Sequence, residues 1–142
     1  MWIRGRRVDG KTKNGKRVRL VPYLDARDVA DRLDECVGPD GWGTQITSTS
    51  TILSKGRKGQ DLSGTAVAYV LRIRHDDGLM VERAAVGSDD GSNQGDPGGH
   101  KGADSDGLKR AAVLFGIGRF LYRLPKVWAD IVKEGPLYVG PG

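Results

Sequence analysis

The sequence predicts an α+β fold with the order β-β-α-β-β-β-α: a basic N-terminal β-hairpin, a helix, a three-stranded antiparallel meander and a long basic helix. Three observations carry this. Two stretches, 25–37 and 103–115, place apolar residues at the spacing of an amphipathic helix. Between them lie three runs rich in β-branched residues, separated by turn signals. Ahead of the first helix, two cationic runs flank the Gly/Lys/Asn-rich segment DGKTKNGK.

The elements follow in chain order. Trp2–Val8 and Arg17–Tyr23 are the hairpin strands, and their many cationic side chains leave at least one face to water or to an anion. The first helix runs from about Asp25 to Val37, with Asp25 as N-cap and Asp28 adding favourable negative charge to the first turn. Ala26, Val29, Ala30, Leu33 and Val37 form its buried stripe, and Gly38 and Pro39 end it. The meander strands are Gly43–Ser54, Gly64–His75 and Leu79–Val86; AVAYVLRIR has the composition of a buried strand and HDDG that of a hairpin turn. Ser88–His100 is a polar loop without periodicity.

The last helix is free of proline from Ala103 to Phe115 and holds Gly107 as its one glycine there. Leu108, Ala111, Ala112, Phe115 and Tyr122 fall on one side of the wheel, Lys109 and Arg110 on the other, with Asp106 and Val113 beside them. Asp104 and Asp106 read as its acidic N-terminal turn. Glycine costs roughly 1 kcal/mol against alanine in a helix interior. Continuing the wheel through Gly116 and Gly118 would also swing Arg119 to the apolar side, so a break is expected at FGIG. The tail from Leu124 carries Trp128 and Ile131 in a short amphipathic piece. The chain therefore reads as one domain over 1–142, with a hairpin at 1–23, a core at 24–123 and a tail at 124–142.

Charge narrows the function classes. The 142 residues carry a formal charge of +5, and it is unevenly spread. Arg4, Arg6, Arg7, Lys11, Lys13, Lys16, Arg17 and Arg19 stand against Asp9 alone, the first helix is acidic, and basic charge returns at Lys101, Lys109, Arg110, Arg119, Arg123 and Lys126. Two separated basic zones point to a polyanion such as nucleic acid. Cys36 is the one cysteine, so no internal disulfide forms, as suits a reducing compartment. No apolar run reaches membrane-spanning length, and Met1 is followed by basic residues rather than the apolar core of a signal peptide. A cytoplasmic location is expected.

Other motifs fare less well. Gly5, Gly10, Lys11 and Thr12 match a phosphate-loop spacing. That mechanism needs a buried strand before the loop and a helix after it, and neither is predicted here. Asp89, Asp90 and Asp96, with Asp104 and Asp106, are the acidic set a magnesium-dependent nuclease would draw on, but most sit in the polar loop. His75 and His100 lack ligand spacing to each other or to Cys36. No catalytic, metal or cofactor-binding residue is assigned, and no enzyme is expected.

SDGLKRA followed by FGIGRFLY resembles the signature of the Rad52 superfamily of single-strand annealing proteins, in its bacterial and phage branch. PYLDARDVADRLDECVGPDGW resembles the family's hairpin-to-helix segment, and VERAAVG sits where the family has its last meander strand. The resemblance covers most of the chain in the order read above. It implies that Lys109 and Arg110 line a groove for a single-stranded backbone and that Tyr23 lies near it. A basic-hairpin arginine also contributes, for which Arg6, Arg7, Arg17 and Arg19 are all candidates. Lys101 joins them on charge, and Arg119 is a candidate because Val113 stands where some relatives carry a further arginine. The resemblance further implies ATP-independent annealing of single-stranded DNA for recombination and double-strand-break repair, a closed homo-oligomeric ring, a nuclease or helicase as a further partner, no cofactor and no membrane. Beside it stand a structural subunit whose charged hairpin only mediates assembly, and two further alternatives. A double-stranded RNA-binding module shares the helix, three strands, basic helix order but has no need of the hairpin or the FGIGR glycines. The metal-dependent nuclease is the other.

Overall fold

The structure, a computed structural model, describes residues 2–6, 17–92, 96, 98–125, 127–130 and 138–139. The chain divides into two compact units, one of residues 25–118 and one of residues 1–24 with 119–142.

In the first unit Asp25 opens helix α1 (Ala26–Val37) with a full capping box. Its carboxylate accepts from the amides of Arg27 and Asp28 at 2.7 and 2.9 Å, and the Asp28 carboxylate accepts from the Asp25 amide at 2.8 Å. Three of the helix's orphan amides are thereby satisfied from its own sequence. Gly38, at φ 75°, ends the helix and donates to the Asp34 carbonyl. The indole Nε1 of Trp42 donates back to Asp34 at 2.7 Å, tying the start of the next strand to the helix.

Strands β3 (Trp42–Lys55), β4 (Asp61–Arg74) and β5 (Met80–Asp89) form an antiparallel sheet in that spatial order. A bulge lies between Ile46 and Ser48 of β3. Helix α2 (His100–Leu114) packs on β4 and β5. Burial along β4 alternates, with Thr65, Val67, Tyr69 and Leu71 turned to the helices. Val29 and Leu33 of α1, and Ala103, Leu108, Ala111 and Ala112 of α2, complete the core. The fold is thus α+β with both helices on one face of an antiparallel sheet.

The contact between α2 and the sheet is made by glycine. A Cβ on Gly107 would stand 2.8 Å from ring atoms of Tyr69, and one on Gly87 would run into the backbone of Ala103 and Gly107. Each lets the helix approach more closely than any side chain would allow. Burial pushes the Tyr69 phenol above its ordinary pKa, with a hydrogen bond to Thr44 working against that.

In the other unit, β1 (Trp2–Arg6) and β2 (Arg17–Tyr23) pair as the expected hairpin, joined by β6 (Val127–Asp130) and β7 (Tyr138–Val139) in the order β6-β2-β1-β7. A short 3₁₀ helix, Arg119–Arg123, precedes β6.

Several expectations are corrected. The C-terminal piece holding Trp128 is a strand paired with β2, because the hairpin's open edge accepts it; Ile131 lies outside the described residues. β5 continues to Asp89, two residues into the stretch read as loop. α2 starts at His100, so Asp104 and Asp106 fall beyond its first turn, and no acidic residue occupies that turn. Tyr122 is not part of the buried stripe: the helix stops at Leu114 and Tyr122 is 78% exposed. The stop itself falls where the glycines placed it, with Gly116 at φ 97° and Gly118 at φ 71°.

Candidate nucleic-acid interface

The expected site residues fall in both units. Lys101, Lys109 and Arg110 lie on α2 in the unit of residues 25–118. Arg6, Arg17, Arg19, Tyr23 and Arg119 belong to the other unit, and Arg7 lies outside the described residues.

On α2 the burial of Ala103, Gly107, Leu108, Ala111 and Ala112 fixes which side meets the sheet. Arg110 is thereby left outward, with its side chain 58% exposed, while Lys109 is half-buried. Lys101 is exposed in the first turn, about 12 Å up the helix axis from Lys109. The Nε of Arg110 donates to Asp106 Oδ2 at 2.7 Å, an i,i+4 ion pair. The same oxygen accepts from the amide of Ser88, on edge strand β5, at 3.0 Å. One carboxylate therefore ties the helix to the sheet edge and holds the guanidinium at its Nε. A guanidinium bonded at Nε still has the parallel N–H pair of its two terminal nitrogens, and a fork of this shape matches a phosphate.

The sequence marks Asp106 as a neighbour of the cations, as part of an acidic first turn and as one of the nuclease carboxylates, but not as the residue that holds Arg110. The Asp-to-Arg i,i+4 spacing is the available signal, but the link to the Ser88 amide joins residues eighteen apart and leaves no trace in periodicity. Arg83 also escapes the sequence reading. Its guanidinium stands 5.4 Å from the ring centroid of Phe115, at the C-terminal end of α2.

In the other unit the backbone register sets Arg6 opposite Arg19, and Arg19 opposite Trp128; Arg17 pairs with Asp130. Tyr23 ends β2, partly exposed and in register with Trp2. Arg119 opens the 3₁₀ helix.

The aspartates of the nuclease alternative are engaged by backbone amides. Asp89 accepts from Gly91, Asp90 from Ser92 and Asp96 from Gly102, at 2.8, 2.9 and 2.7 Å. The Gly102 amide holds the Asp96 carboxyl below its ordinary pKa, and hydrogen bonds from Ser92, chiefly its side chain, do the same for Asp90. Among the described residues no three His, Cys, Asp or Glu side chains are grouped to hold a metal ion. Nor is any described helix long and apolar enough to cross a membrane.

An α+β core with a basic hairpin and a cation-bearing helix is the arrangement the sequence resemblance implied, and comparison with known proteins agrees. The sequence matches the Rad52/22 family of double-strand break repair proteins over residues 4–136, and the chain belongs to that family. It is similar to two proteins named single-stranded DNA-binding protein DdrA. That of Deinococcus deserti is 39% identical over 120 residues, covering 82% of this chain and 49% of the relative. That of Deinococcus radiodurans is 38% identical over 130 residues, covering 89% of this chain and 53% of the relative. The chain thus spans about half the length of these curated relatives.

Proposed function

We propose that this chain binds single-stranded DNA and anneals complementary strands without ATP, in recombination and double-strand-break repair, as a homo-oligomeric ring. The observation that carries the proposal is Arg110: an outward guanidinium, held at Nε by Asp106, on a helix seated against a sheet through glycine. It lies within a stretch that matches a family of repair proteins and relatives named for single-stranded DNA binding.

Lys109 and Arg110 neutralise backbone phosphates, with Lys101 extending the contact along the helix. The hairpin arginines Arg6, Arg7, Arg17 and Arg19, with Tyr23 and Arg119, supply further contacts from the second unit. Phosphate contacts carry no sequence preference, as annealing of arbitrary strands requires. No covalent step is needed. Pairing supplies the driving force, about 1.4 kcal/mol per stacking step of duplex, and the protein lowers the repulsion between approaching strands. One subunit offers few cations, and a ring repeats them along a continuous path.

The test is strand annealing without ATP across a salt series, with particle mass measured alongside. Lys109→Ala combined with Arg110→Ala is expected to abolish annealing in a folded protein. Its binding should also show a log–log salt slope shallower by about 1.4, at roughly 0.7 for each single-strand phosphate no longer neutralised. Annealing at the wild-type rate by the folded double variant would sink the proposal.

A further inference from the structure

The 3₁₀ helix Arg119–Arg123, sequence RFLYR, has no buried residue. A 3₁₀ helix has three residues per turn, so side chains three apart align in ridges about 6 Å from one member to the next. Leu121 and Leu124 make one such ridge, and Leu121 is half-buried. The other two ridges are Arg119 with Tyr122 and Phe120 with Arg123, each setting one aromatic beside one arginine. Phe120 is 53% exposed and Tyr122 78%. Two large aromatic side chains left in water two residues apart, each with a cation on its own ridge, mark a binding surface rather than an incompletely packed core.

We propose that Phe120 and Tyr122 form a stacking platform for unpaired nucleobases, with Arg119 and Arg123 on the adjoining phosphates. The inference rests on the single-stranded DNA reading above and adds contact with the bases to contact with the backbone. The charge selects the ligand, since arginines on both ridges favour a polyanion over an apolar peptide or a second copy of the same cationic segment. The aromatic faces select the single strand, because a base in a duplex has its own faces covered by neighbours. Stacking uses the π face and leaves the Watson–Crick edge open, so a base held here can still pair with an incoming complementary strand.

The experiment compares an oligodeoxythymidine with an abasic strand of equal length, by fluorescence anisotropy at several salt concentrations. The proteins are the wild-type chain, Phe120→Leu with Tyr122→Leu, and Phe120→Trp with Tyr122→Trp. The leucine pair keeps apolar bulk without a π face, and the tryptophan pair keeps the face. Wild type is expected to prefer the base-bearing strand. The leucine pair should lose about tenfold in affinity for that strand per aromatic removed, with the abasic affinity and the salt slope unchanged, and the tryptophan pair should retain wild-type binding. Wild-type binding of oligodeoxythymidine by the leucine pair would overturn the platform. So would a fall in particle mass with unchanged affinity per site, which would make the surface a contact between copies. Equal wild-type affinity for both strands, still sensitive to Lys109→Ala with Arg110→Ala, would overturn the platform alone. Wild type binding neither strand would overturn the single-stranded DNA reading as well.

Discussion

Helix α2 and the 3₁₀ helix are separated by four residues of chain and both display arginine, yet they are built on opposite principles. α2 is clamped: Gly107 lies against Tyr69, Gly87 against the helix backbone, and Asp106 bonds the Ser88 amide. No side chain of the 3₁₀ helix is fully buried. A clamped helix fixes where a charge stands, which suits a phosphate that must be met at one distance. An exposed segment keeps aromatic faces open, which a clamp would cover. On the two proposals above, that difference would divide backbone contact from base contact within one stretch of twenty-odd residues.

The clamp is where the largest effect is expected. A Cβ on Gly87 would lie 2.6 Å from Gly107 Cα and closer still to the Ala103 carbonyl oxygen and the Gly107 amide nitrogen. All three are backbone atoms, which cannot swing aside as a side chain would. Gly87→Ala should therefore lift α2 from β5 and cost about 3 kcal/mol, the upper end for overpacking. Phe120→Ala should stay within about 0.5 kcal/mol of wild type, as exposed substitutions do. Urea midpoints at unchanged m-value measure both. Equal losses at the two positions would erase the distinction between clamped and open segments.

How far the sequence reveals this arrangement depends on whether each feature is local. The start of α1 is legible because Asp25 is a local N-cap signal, although the bond Asp28 returns to the Asp25 amide adds to the charge read for it. The end of α2 is legible because Gly116 and Gly118 cannot extend a helix cheaply. Its start is not. The N-cap is Gly99 at φ 71° with no side-chain cap, so the usual Ser, Thr, Asp or Asn signal is missing. Gly102 inside the first turn further mimics a loop, although it is there because a Cβ would strike the Asp89 carboxylate. The pairing of β6 with β2 is equally hidden, since it joins residues more than a hundred apart and neither run shows its partner. Of the candidate site, the cations were readable as residue types. The carboxylate that holds Arg110 shows in the sequence only as an i,i+4 spacing, and its second bond, to a backbone amide of a distant strand, does not show at all.

Asp106→Asn separates two roles for that carboxylate. The variant keeps an oxygen for the Ser88 amide but removes the charge facing Arg110, and so adds one positive charge to the surface. If Asp106 positions the guanidinium, affinity for single-stranded DNA should fall about twofold, in line with the roughly 0.5 kcal/mol of a helical i,i+4 pair. A rise in affinity with a steeper salt slope would show instead that Asp106 masks the charge. Because Arg110 is mostly exposed and asparagine keeps an oxygen for the Ser88 amide, thermal stability should barely move.

The smallest effect concerns the N-terminal end of α2 and is read through pH. Asp96 accepts from the Gly102 amide at 2.7 Å, and this bond lowers its pKa from the ordinary 3.8. A carboxyl whose folded pKa is depressed stabilises the fold above its unfolded pKa, and that contribution fades as pH falls through the folded value. Wild type should accordingly exceed Asp96→Asn in stability at neutral pH by a constant margin. The margin should narrow only below about 3.8, as the carboxyl is protonated in the unfolded chain and then in the folded one. Chemical denaturation of both proteins between neutral and acid pH measures the margin. Narrowing that begins above pH 5 would assign the difference to another group and remove Asp96 from the elements that fix α2 in place.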